Sequence, residues 1–212
     1  MAQRYSLYLV DHPGFGHSER PEWLDSIQDY PYFYRDFLNF FKLEQVIVAG
    51  HSLGGHIAVE LAISHPHRVS KLILFCPAGL YLEEARRPDT FMMSQEESKR
   101  LLFYDQRYAD VMLTSLQSSE AQEIAVKNLT TVALLYWSRN YNPKLPRLLR
   151  YIEAPTCLIW GREDQIIPLA YGEAYRKHIA GAQLNVLERC GHMPFIEHAE
   201  TCLQLIDQII GP

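Results

Sequence analysis

Short apolar, β-rich runs alternate with amphipathic stretches along this sequence, and that alternation narrows its fold more than any other feature. The runs are YSLYLVD (5–11), QVIVAG (45–50), KLILFC (71–76), PTCLIWG (155–161) and QLNVLE (183–188). A strand that is apolar at nearly every position is buried on both faces, as happens when helices cover both sides of a parallel sheet. Between the first two runs Tyr34, Phe37, Leu38 and Phe41 recur at i, i+3, i+4 and i+7, and Pro31 stands where a helix would start. Ile57, Ala58, Leu61 and Ala62 mark a second helix, and Ala199, Cys202, Leu203, Ile206, Ile209 and Ile210 a last one. The series predicts an α/β fold with a mostly parallel, doubly wound sheet.

Residues 81–150 break the rhythm, since they hold no glycine and no strand-like run. Two capping-box patterns, Ser94-x-x-Glu97 and Ser119-x-x-Gln122, predict helix starts there. Ala125, Leu129, Val132, Ala133 and Tyr136 give the longer helix an apolar stripe. The expected organisation is a core of residues 1–80 and 151–212 with a helical cap, 81–150, inserted between two strands. Most bulky cap residues should pack onto the core, and the remainder should line an apolar pocket.

Composition excludes several classes of partner. A net charge of −5 and a pI near 6.0 leave no basic footprint for nucleic acid or an anionic membrane surface. No apolar run is long enough to span a bilayer, and the N-terminus does not read as an export signal. Cys76, Cys157, Cys190 and Cys202 show neither CxxC nor zinc-ligand spacing, which fits a reducing, cytoplasmic setting. Gly14-Phe15-Gly16 lacks the continuation of a phosphate-binding loop, so neither cofactor nor metal is expected. The expected partner is a small molecule.

Gly50-His51-Ser52-Leu53-Gly54 matches G-x-S-x-G between a strand and a helix, the context in which that motif holds a serine on a strained turn. A serine hydroxyl is a weak nucleophile at neutral pH and needs a base, itself oriented by an acid. Asp164 lies in the loop after the fourth run, and His192 follows the fifth. The chain order of serine, aspartate and histidine is then Ser52, Asp164, His192. Glu163 is a weaker rival for the acid, and Asp11 reads as a turn-fixing residue. His51 and His56 lie close to the serine, as packing residues or, for His51, as part of a pocket wall.

DHPGFGHSERP (11–21), GHSLGG (50–55), WGxxDxxxP (160–168) and the Gly191-His192 pair together resemble a capped serine esterase of the α/β-hydrolase type, over essentially the whole chain. The resemblance implies Ser52 as nucleophile, His192 as general base and then acid, Asp164 as orienting carboxylate, and the Leu53 backbone N–H as an oxyanion-hole donor. It also exposes a departure. The segment resembling the family's fourth strand, YSLYLVD, comes first here, so the strands before it, and the loop that supplies a second oxyanion donor, have no counterpart. The gap beside QVIVAG could be closed by YSLYLVD sliding over, by a second chain, or by a natural protein longer than this sequence. The last is favoured, with self-association through unpaired edges expected of this chain alone. The expected activity is hydrolysis of carboxylic esters or thioesters with an apolar acyl or alcohol part. Carbon–carbon hydrolysis of ring-cleavage dienoates by the same triad is the enzymatic alternative, and an impaired form or binding module the non-enzymatic one.

Overall fold

Four of the five apolar runs become strands of one parallel sheet in the computed structural model, which describes residues 4–115 and 118–211. They are β1 (Val46–His51), β2 (Val69–Phe75), β3 (Thr156–Gly161) and β4 (Gln183–Leu187), side by side in chain order. The helices are α1 (Tyr30–Phe40), α2 (Ser52–Ser64), α3 (Gln95–Arg100), α4 (Gln106–Ser115), α5 (Ser119–Leu135), α6 (Leu145–Leu148), α7 (Leu169–His178), α8 (Pro194–Glu197) and α9 (Ala199–Ile210). Side chains alternate across a strand, and here they divide the core in two. Leu72, Leu74, Leu158 and Trp160 pack with Val59 and Leu61 of α2 and Tyr171 and Tyr175 of α7. Ile73, Phe75, Cys157 and Ile159 face the other way, toward Cys202 and Ile206 of α9. Continuous apolarity in the sequence therefore reports two covered faces. Among the described residues, no helix is long and apolar enough to cross a membrane.

The fifth run does not become a strand. Residues 5–11 form no ladder among the described residues, and Leu9 is 94 % exposed. Tyr8 rests instead on Phe37 and Phe41, at 5.9 and 5.4 Å between ring centroids. Strand propensity cannot hold a strand whose N–H and C=O groups find no neighbour. β1 pairs only with β2 among the described residues, and Ala49 in its middle is exposed, so the gap is not closed by sliding.

Between β2 and β3 the described regular structure is helical apart from an isolated bridge, Gly79 to Tyr141. Ser94 and Glu97 close the expected capping box of α3. For α5 the N-cap is Ser118, whose hydroxyl accepts from Ala121 N–H, one residue earlier than the spacing of Ser119 and Gln122 indicated. Leu129 of its expected apolar stripe is 53 % exposed. The inward face is polar: Thr131 donates to Gly14 O (2.7 Å), Lys127 to Gly16 O (2.9 Å) and Ser18 O (2.8 Å), and Asn128 accepts from Gly16 N–H (2.9 Å). α5 thus satisfies the carbonyls of the tight loop after residue 11, a task that apolar periodicity does not signal.

A buried polar knot ties α2 to this helical segment. Glu60 Oε1 accepts from Gln28 Nε2 (3.0 Å) and Asn142 Nδ2 (2.7 Å), with His56 Nε2 at 3.3 Å in poorer alignment. Burial by itself would raise the Glu60 carboxyl, but His56, Asn142 and Gln28 outweigh it and hold the group below its usual range. Glu60→Leu strands these donors, so a loss of about 3 kcal/mol, or roughly 10 °C in thermal midpoint, is expected at pH 7. Because the folded carboxyl titrates lower than the unfolded one, this contribution is complete above about pH 5 and disappears as pH falls through the folded value. Melts of the two proteins should therefore differ at pH 7 and converge in acid. Coincident melts at pH 7 would refute the assignment.

Candidate active site

β1 ends at His51 and α2 begins at Ser52 with no loop between them. A turn that abrupt places Ser52 at φ +50°, the left-handed region that costs a residue with a Cβ roughly 1–3 kcal/mol. The neighbouring glycines make it possible: a side chain on Gly50 would strike the Gly54 carbonyl, and one on Gly55 would strike Pro77. Ala78 N–H donates to the Ser52 carbonyl at 2.9 Å and fastens the turn to the segment after β2. Leu53 lies in the first turn of α2, where backbone N–H groups have no intrahelical partner and the helix dipole presents its positive end.

Asp164 stands in the loop after β3 with its side chain removed from solvent. Its Oδ1 accepts from Ile166 and Ile167 N–H at 2.9 and 2.8 Å, which fixes the carboxylate and leaves Oδ2 free to accept from His192 Nδ1 at 2.7 Å. With Nδ1–H committed to Asp164, a neutral His192 keeps its lone pair on Nε2, the arrangement a general base requires. Asp164 and His192 are 5 % and 2 % exposed.

The loop carrying His192 is held peptide by peptide. Glu163 Oε2 accepts from Cys190 N–H (2.9 Å), Glu197 Oε2 from Gly191 N–H (2.6 Å), and Leu102 O from His192 N–H (2.8 Å). Glu197 Oε1 also accepts from Asp105 N–H (2.8 Å), joining this loop to the segment before α4. Gly191 is obligatory because a Cβ there would meet the Leu102 to Tyr104 backbone at 2.7–2.9 Å. Sequence reasoning missed both carboxylates. Glu163 was visible only as a rival to Asp164, and no spacing rule points from an acid to a distant loop's amides.

The structure brings Asp164 and His192 together directly, and Ser52 to them through residue 51. His51 Nε2 donates to His192 O at 2.7 Å, and the two rings lie 4.6 Å apart. Among the described residues the Ser52 hydroxyl makes no hydrogen bond to His192, a link that in such sites often tightens only around substrate. Cys76, at the end of β2, offers its sulfur within 4.8 Å of ligand atoms of Asp164 and His192, a set a metal could use. Burial, with Asp164 beside it, pushes the Cys76 thiol far up, and His192 Nδ1 is already hydrogen-bonded to Asp164.

Asp11 fixes its turn as expected, accepting from His17 N–H at 3.0 Å. Two open clefts, one lined by Leu38, Asn39, Leu43, Glu44, Gln45 and Arg68 and the other by Ser119, Gln122, Glu123, Val126 and Lys127, do not include Ser52, Asp164 or His192.

Known proteins resemble this chain over most of its length. A 2-hydroxy-6-oxononadienedioate/2-hydroxy-6-oxononatrienedioate hydrolase of Paraburkholderia phymatum is 30 % identical over 223 residues, 98 % of this chain and 77 % of the relative. A 2-hydroxymuconate semialdehyde hydrolase of a Pseudomonas strain is 30 % identical over 228 residues, 100 % of this chain and 78 % of the relative. The crystal structure of a meta-cleavage product hydrolase from Pseudomonas fluorescens superposes with a TM-score of 0.74 at 22 % identity, covering 93 % of this chain and 76 % of that one. The family model described as "Alpha/beta hydrolase family" matches residues 1–205, and the serine turn, the loops after β3 and β4 and the sheet beneath them all fall inside it. This chain belongs to the alpha/beta hydrolase family.

Proposed function

We propose that this chain is a serine hydrolase that cleaves a carbon–carbon bond in a ring-cleavage dienoate, with Ser52 as nucleophile, His192 as base and Asp164 as its orienting acid. The observation that carries the chemistry is the buried His192–Asp164 pair at 2.7 Å, one residue's hydrogen bond from the strained Ser52. Ser52 Oγ attacks the keto carbonyl while His192 Nε2 takes its proton, and the Leu53 N–H with the α2 N-terminus faces the developing oxyanion. In the substrate's 2-keto tautomer, formed by moving the enol proton to C5, the C5–C6 bond then breaks with its electron pair passing into the conjugated 2-keto-3-enoate, and His192 returns the proton to the leaving fragment. Water, deprotonated by His192, frees Ser52 as a carboxylic acid forms. Residues 81–150 act as the cap over the core of 1–80 and 151–212.

The substrate class comes from the named relatives, which support it better than the ester reading that the sequence alone favoured. The same groups would cleave an ester, so the residues do not separate the two. Turnover of a 2-hydroxy-6-oxo-dienoate and of a short p-nitrophenyl ester separates them. A kcat/KM at least roughly tenfold higher for the dienoate is expected. The reverse preference would restore the ester, and folded protein that turns over neither substrate and takes up no fluorophosphonate would establish a non-catalytic form.

A further inference from the structure

We infer that His51 is a positioning residue that couples the strand carrying Ser52 to the loop carrying His192, and so sets the distance between nucleophile and base. The inference rests on the proposed roles of Ser52 and His192. His51 is the last residue of β1, paired in register with Phe75, and is peptide-bonded to Ser52. Its backbone is therefore fixed by the sheet. Its Nε2 donates to the carbonyl of His192 itself at 2.7 Å, not to a neighbour along the loop. Its ring lies 4.6 Å from that of His192 and 5.0 Å from that of Phe195, which in turn packs at 5.4 Å against Phe75. Other restraints on this loop come from Glu163, Asp164, Glu197 and Leu102 and fix it to the loop after β3, to α8 and to the helical segment. The His51 bond ties it to the serine.

A carbonyl can only accept, so Nε2 must carry the hydrogen. Burial, with His192 alongside, holds the His51 ring down to about 3, so it stays neutral across the working range. His51 is thus a permanent single donor of fixed tautomer. A base displaced by even an ångström loses much of its effect, whereas substrate affinity is little changed.

Two variants separate the hydrogen bond from the ring packing. His51→Phe keeps an aromatic ring and removes the donor; His51→Gln keeps a donor near the position of Nε2. His51→Phe is expected to lower kcat and the rate of fluorophosphonate labelling of Ser52 by about 10- to 100-fold, with KM nearly unchanged. In proton NMR the low-field signal of His192 Nδ1–H should shift or broaden. His51→Gln should recover most of the rate and the signal. Thermal melts confirm that both variants fold. Labelling of folded His51→Phe at the wild-type rate, or equal losses in both variants, would overturn the inference while leaving the triad intact. Folded wild type that is not labelled at all would overturn the proposed function, and this inference with it.

Discussion

Ser52→Ala is expected to lower kcat by about 10⁶-fold, His192→Ala by a similar factor, and the double variant by no more than either alone. The non-additivity follows from the geometry. Ser52 is unreactive without a base, and His192, already hydrogen-bonded to Asp164 at 2.7 Å, has no other proton to move in this step. Asp164→Asn should cost about 10⁴, since an amide there favours the wrong imidazole tautomer while keeping the shape of the site. Ser52→Gly supplies the control for folding. It relieves the φ of +50° and should leave the protein as stable as wild type or more so, yet equally inactive. Steady-state kinetics with thermal melts on the five variants test the scheme. Additive losses in the double variant would mean that Ser52 and His192 act independently, and the proposed relay would be wrong.

What could be read from the sequence depended on how local its physical cause was. The strands KLILFC and PTCLIWG were legible because both faces of each are covered, so apolarity alone marks them. Ser52 was legible because its turn demands glycines at fixed offsets, and Asp164 and His192 because each follows a strand by a few residues. YSLYLVD misled because a strand is defined by its neighbour, and the neighbour is not in its own sequence. The polar face of α5 was missed because Lys127 and Thr131 answer carbonyls, and Asn128 an N–H, more than a hundred residues away. The bond from His51 to His192 belongs to the same class, and Glu163 and Glu197 also reach residues distant in sequence, Cys190 and Asp105. The contacts that hold the candidate site together act across the fold, whereas its candidate catalytic residues sit on motifs.

The unclosed flank of the sheet leads to a second large effect. Among the described residues two surfaces are incomplete: the outer edge of β1, with Ala49 exposed, and the apolar segment 5–11, with Leu7 52 % and Leu9 94 % exposed. Nothing in VIVAGH guards that edge, which has neither proline nor lysine nor carboxylate. The segment of one copy laid along β1 of another satisfies the backbone groups of both and buries the apolar side chains. Because donor and acceptor are different patches, the contact is heterologous and propagates unless it happens to close into a ring. Sedimentation over roughly 1–100 μM should therefore show assemblies that grow with concentration. Leu9→Lys changes a side chain that makes almost no contact within its own chain, so folding should be preserved while the assemblies dissociate toward monomer. A single sharp monomer boundary for the unmodified chain across that range, with one cooperative thermal transition, would show that the edge is closed within the chain, and residues 5–11 would then have to pair with β1 in solution.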